Sequence, residues 1–113
     1  MSQFYGVHVY NLKPGVSKRE FEEFMEREWF PFLMRQKGCH GVMFLKGYQG
    51  EWMLQKMDYA TIDIWENSRA NRRAWGGVRR EWTDPPELRP LMERFREYVL
   101  PESFRTFEFE RMI

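Results

Sequence analysis

The chain is poor in the residues that make cross-links and metal sites. It holds one cysteine, Cys39, and two histidines, His8 and His40. A lone cysteine excludes an internal disulfide, and its scarcity makes the cytoplasm the default location. One Cys and two His at scattered positions give no metal-finger spacing, so no metal is expected. Neither sign of charge dominates, with 18 basic against 17 acidic side chains. That balance argues against a general electrostatic grip on nucleic acid or on an anionic membrane. No apolar run approaches the length of a transmembrane helix, and the opening "MSQFYGVHVY" lacks a signal-peptide layout. Repeats, low-complexity stretches and linkers are missing as well, so residues 1–113 are expected to form a single domain.

Rings, by contrast, are abundant. Aromatic residues make up 18% of the chain, including ten Phe and five Trp. A small domain seldom hides so many rings alone, which points to oligomerisation or to a ring-lined pocket.

The element order follows from local signals. "QFYGVHVYNL" (3–12), rich in Val and aromatics, reads as a strand closed by "KPG". Ser17 and Glu20 have capping-box spacing and open a helix to about Lys37, which "KGCHG" ends. "HGVMFLKGY" (40–48) predicts a second strand, "YQGE" (48–51) a tight turn, and "WMLQKMDYATIDIWE" (52–66) a third strand. Asn67 and Ser68 cap a short helix to about Trp75, Gly76–Gly77 breaks the chain, and "VRREW" resumes the helix. Asp84, Pro85, Pro86 and Glu87 begin another, with the stripe Leu88, Leu91, Met92, Phe95 and Val99 at helical spacing. "SFRTFEFERM" (103–112) closes as a fourth strand. The order β-α-β-β-α-β is the ferredoxin-like split unit, an α+β fold with an antiparallel four-stranded sheet and the first and third strands central.

Alternate strand residues share a face. Strand one puts Val7 and Val9 on one side, and Phe4, Gly6, His8 and Tyr10 on the other. Strand three puts Ala60, Ile62 and Ile64 on one side, and Tyr59, Thr61, Asp63 and Trp65 on the other. One face is plain aliphatic; the other mixes rings with polar groups. Neither carries the charges of a wet surface, so both should be covered. The helices can cover one, and the other needs a second chain.

These features, with the pattern "FYGVHVYNLKPGVSKREFEEFMEREWFPFL" and "IDIWEN" leading into a helix, resemble the dimeric α/β-barrel superfamily. That superfamily includes antibiotic-biosynthesis monooxygenases and EthD-type and NIPSNAP-type proteins. The resemblance implies a homodimer whose sheets pack face to face into a barrel, with a pocket in each subunit between sheet and helices. Haem-degrading relatives place a His ligand on the second helix, and residues 67–82 here contain no His. No cofactor is therefore expected.

The first helix poses a specific question. At about 100° per residue, Phe21, Phe24, Met25 and Phe32 fall on one side, with Glu28 in their midst. A carboxylate on an apolar stripe needs a partner. If the helix packs on the mixed face, Glu28 looks down at His8, Tyr10 and Asp63, and the aliphatic face becomes the dimer seam. Pro31 should kink this helix.

Glu28 and His8 then read as an acid/base pair, with Asp63 fixing the His8 tautomer. Tyr10, Trp29, Tyr59 and Trp65 would sandwich a flat ligand, with Thr61 on the same face. The expected ligand is a small hydrophobic or aromatic compound. The expected activity is that of a cofactor-independent monooxygenase, isomerase or cyclase. The plainer alternative makes Glu28, His8 and Asp63 an internal polar network in a non-catalytic binding, sensing or structural domain. Cys39 and His40 sit at a helix–strand junction and read as structural. Arg69, Arg72, Arg73, Arg79 and Arg80 read as solvated helix faces rather than a dock for an acidic ligand.

Overall fold

Strand β1 (Phe4–Tyr10) lies between β3 (Tyr59–Trp65) and β4 (Arg105–Glu110), and β2 (Cys39–Lys46) pairs with the far edge of β3. All three pairings are antiparallel, giving the order β2-β3-β1-β4 with the first and third strands central. The computed structural model describes residues 3–49, 57–75 and 86–113. Parts of the expected 48–51 turn and of the 52–66 strand lie outside the described residues. So do the Gly76–Gly77 break, "VRREW" with Arg79 and Arg80, and Asp84–Pro85.

Helices cover one face of the sheet. Helix α1 (Lys18–Phe24) starts where expected: Ser17 Oγ accepts the Glu20 amide at 3.1 Å. A π-helical turn, Met25–Trp29, follows and runs into α2 (Phe30–Met34). The Phe30 amide donates to the Met25 carbonyl, five residues back. The proline explains this turn. Pro31 has no N–H and would strain an α-helical register, and a wider turn just ahead of it relieves the clash. The expected kink is thus a one-residue bulge.

Helix α3 (Ser68–Ala74) is capped by Asn67, whose side chain accepts the Ala70 amide at 2.9 Å. In α4 (Leu88–Tyr98) the apolar stripe faces inward, with Leu88 and Phe95 buried and Leu91 and Met92 packed against the core; Val99, also buried, caps the helix. Rings dominate the core. Tyr10 meets Phe21 and Phe95 edge-on, and Phe44 stacks on Tyr59 at 5.1 Å.

The two faces separate as the alternation predicts. Tyr10, Tyr59, Thr61, Asp63 and Trp65 are buried beneath the helices. Across the other face run the rows Met43–Ile62–Val7–Phe107 and Gly41–Ile64–Tyr5–Phe109. Met43, Leu45, Phe107 and Phe109 are exposed there. No helix among the described residues is long and apolar enough to cross a membrane.

Candidate functional site

His8 rises from the middle of the inner face, flanked across the strands by Thr61 on β3 and Thr106 on β4. The next inner row reads Val42–Asp63–Gly6–Glu108. Gly6 is essential to this row. A Cβ there would stand 2.6 Å from Asp63 Oδ2, so the missing side chain is the space into which Asp63 leans. From there Asp63 Oδ1 meets His8 Nε2 at 2.7 Å, and Oδ2 accepts the Trp65 indole N–H at 2.5 Å. Asp63 is only 1% exposed, and two donors satisfy a buried carboxylate that would otherwise be costly.

A carboxylate only accepts, so the contact is an Nε2–H of His8 donating to Asp63. Nδ1 lies 3.1 Å from Thr106 Oγ1. The ring stacks on Phe104 at 5.8 Å and meets the edge of Trp75 at 6.1 Å.

A cavity of about 240 Å³ opens over this row. Its floor is Gly6, His8, Thr61, Thr106 and Glu108; Trp29, Trp75, Met92, Phe95 and Phe104 form its walls. Trp29 stacks on Phe95 at 4.6 Å. Asn71, from α3, also lines it, accepting the Trp75 indole N–H at 3.0 Å and reaching Glu108 Oε2 at 3.4 Å. An imidazole lining a ring-walled cavity, its Nδ1 shared with the Thr106 hydroxyl, is placed to exchange a proton with a flat acidic compound.

The expected site residues other than Glu28 divide three ways. His8, Thr61 and Trp29 line the cavity, and Asp63 and Trp65 stand behind His8 as its support. Tyr10 and Tyr59 do not reach it. Both are buried in the core, with the Tyr59 hydroxyl donating to Glu22 Oε2 at 2.5 Å. Burial pushes both phenols above the ordinary tyrosine range, Glu22 adding to the effect at Tyr59. The Tyr10 hydroxyl has no hydrogen-bond partner among the described residues.

Glu28 is the main correction. Its carboxylate pairs with Arg94 of α4 rather than with His8, and the two side chains are 43% and 42% exposed. Arg94 also lies over the Phe24 ring, 4.6 Å from its centroid. The π turn is the cause: the extra residue rotates Glu28 outward and brings the buried Trp29 to the inward position. A wheel drawn at the α-helical angle cannot register that shift.

The other side residues are structural in geometry. Cys39 Sγ lies 3.7 Å from the Gly41 carbonyl, and burial pushes the thiol upward from its usual range. His40 Nδ1 sits 2.9 Å from Gln3 Nε2 at the surface. Arg69, Arg72 and Arg73 are exposed. Sequence reasoning missed Asn71, Trp75, Thr106 and Glu108. The β4 pair was within reach, because the alternation in "RTFEFE" already separates Thr106 and Glu108 from Phe107 and Phe109.

This architecture is ferredoxin-like, an α+β fold with an antiparallel four-stranded sheet. Among solved structures, the chain is similar to SnoaB, a cofactor-independent oxygenase from Streptomyces nogalater. The TM-score is 0.74 at 18% identity, covering 100% of this chain and 96% of that one. An EthD family protein from Bacillus halodurans matches with TM-score 0.66 at 14% identity, over 99% of this chain and 100% of that one. A dimeric ferredoxin-like protein of unknown function from Bacteroides fragilis matches with TM-score 0.63 at 11% identity, over 96% of each chain. No protein-family model and no curated protein matches the sequence.

Proposed function

We propose that the protein is a homodimeric α/β barrel whose cavity binds a small aromatic or polyketide-like compound and acts on it without a cofactor. The observation that carries this reading is His8: Asp63 holds one nitrogen at 2.7 Å, Thr106 Oγ1 meets the other at 3.1 Å, and the residue lines a ring-walled cavity. The substrate's acidic O–H or C–H gives its proton to His8 Nδ1, leaving an anion delocalised over the bound ring system. Asp63 keeps the ring oriented and faces the positive charge that forms. Oxygenation, isomerisation and cyclisation of such a compound all begin with that proton transfer. The likeness to a cofactor-independent oxygenase supports the first. The dimer would form through the apolar outer face, where Met43, Phe107 and Phe109 are exposed.

The alternative is a binding or sensing domain without catalysis, favoured by the fact that Asp63 is fully satisfied within the chain. Air-saturated incubation with a panel of hydroxylated naphthalenes and anthrones, followed by mass spectrometry of the products, separates the two. In the enzyme, His8→Ala lowers turnover by about a hundredfold while ligand-induced thermal stabilisation persists. Stabilisation by ligand with no product from the unaltered protein selects the binding domain.

A further inference from the structure

Resting on that reading of the cavity, we infer that Glu108 is a specificity-determining residue, selecting ligands that carry a second hydroxyl at the end remote from the proton given to His8. The floor of the cavity has two polar ends. One is His8 with Thr61 and Thr106, in one cross-strand row. The other is Glu108, which pairs with Gly6 in the next row. His8 and Glu108 are therefore diagonal neighbours on an antiparallel pair, about 7 Å apart.

Among the described residues, Glu108 is the one carboxylate that lines the cavity, since Asp63 is turned behind His8. Its Oε2 is met by Asn71 Nδ2 at 3.4 Å, and Asn71 is itself anchored by the Trp75 indole. Its Oε1 accepts no hydrogen bond from the described residues. Glu108 lies on the exposed strand β4, so its free oxygen is open to solvent; a ligand that brings a donor replaces water there, and one that blocks it strips solvent from a charge without return.

Size narrows the class. A cavity of about 240 Å³ exceeds the roughly 150 Å³ that takes benzene and falls short of the about 300 Å³ where drug-sized pockets begin. The ligand is a two-ring scaffold with hydroxyls at opposite ends.

The probes are 2,6-dihydroxynaphthalene and its monomethyl ether, 6-methoxy-2-naphthol, with affinity read from quenching of tryptophan fluorescence. Trp29 and Trp75 in the walls are two of the five tryptophans and report occupancy of the cavity. The unaltered protein should bind the diol about tenfold more tightly than the ether, as loss of a hydrogen bond to a charged group predicts. Glu108→Leu should bring that ratio to one or below, and Glu108→Gln, which keeps an acceptor oxygen, should leave it in between. Circular dichroism checks that both variants are folded.

A ratio that stays near ten in Glu108→Leu overturns the inference and leaves the cavity reading standing. A ratio lost in Glu108→Leu with no turnover of any probe upholds the inference while the enzymatic reading falls. Absence of quenching by either probe overturns both.

Discussion

Adding one methyl group at Gly6 tests whether the His8–Asp63 pair has the geometry described. In Gly6→Ala the new Cβ would stand 2.6 Å from Asp63 Oδ2, well inside contact distance. Gly6 has no left-handed backbone, so an ordinary Gly→Ala change in a strand would stabilise by about 0.4–1 kcal/mol. Here the sign should reverse. Asp63 is buried, and the oxygen in conflict is the one that accepts the Trp65 indole N–H at 2.5 Å. Moving aside breaks that bond and stretches the 2.7 Å contact with His8. Hydrogen bonds to a charged group contribute about 1.5–3 kcal/mol each, so the expected destabilisation is about 2–4 kcal/mol. The assay is urea unfolding of Gly6→Ala, Asp63→Ala and the double variant, read as a cycle. With Asp63 removed the space is open, and Gly6→Ala should then cost less than about 0.5 kcal/mol, the residue of a cycle with its main partner gone. Equal costs with and without Asp63, or a stabilising Gly6→Ala in the unaltered background, would refute the reasoning.

Three further expectations can be checked alongside. Tyr10→Phe should raise stability by about 1 kcal/mol, a Tm gain of about 4 °C by calorimetry, because it deletes a buried hydroxyl that has no partner among the described residues. Tyr10 and Tyr59 both titrate above their unfolded value. They therefore contribute stability that is whole below pH about 10 and is lost as pH rises beyond it; urea midpoints from pH 8 to 11 should fall, and fall less in Tyr10→Phe. Glu28→Gln should shift the urea-derived stability by less than about 1 kcal/mol, as an exposed ion pair allows, and leave naphthol binding unchanged; a tenfold loss of binding would return Glu28 to the site. Phe107→Lys, on the exposed outer face, should convert a dimer to monomers in sedimentation equilibrium with the far-ultraviolet spectrum preserved, and an unchanged dimer would place the seam elsewhere.

The site was partly legible before any coordinates. Alternation in β1 and β3 put His8, Thr61 and Asp63 on one face, because the strand period is fixed at two and leaves no freedom. The structure adds the contact itself, since register alone decides that Gly6 lies opposite Asp63 and gives it room. Trp29 lines the cavity, while Tyr10, Tyr59 and Trp65, on the inner sheet face, lie too deep to line it. Alternation tells side from side; it does not tell depth.

The sequence by itself determined the element order, the two unlike sheet faces, the caps at Ser17 and Asn67, and the placing of an imidazole and an acid on one face. Those follow from local chemistry and fixed periods. Only the tertiary structure decided the orientation of Glu28. One extra residue in the turn before Pro31 sends it out to Arg94. Only the tertiary structure brought Asn71, Trp75, Thr106 and Glu108 to His8. The pair Asn71 and Trp75 and the pair Thr106 and Glu108 lie far from each other and from His8 in the chain, and the packing of α3 and β4 against β1 makes them neighbours.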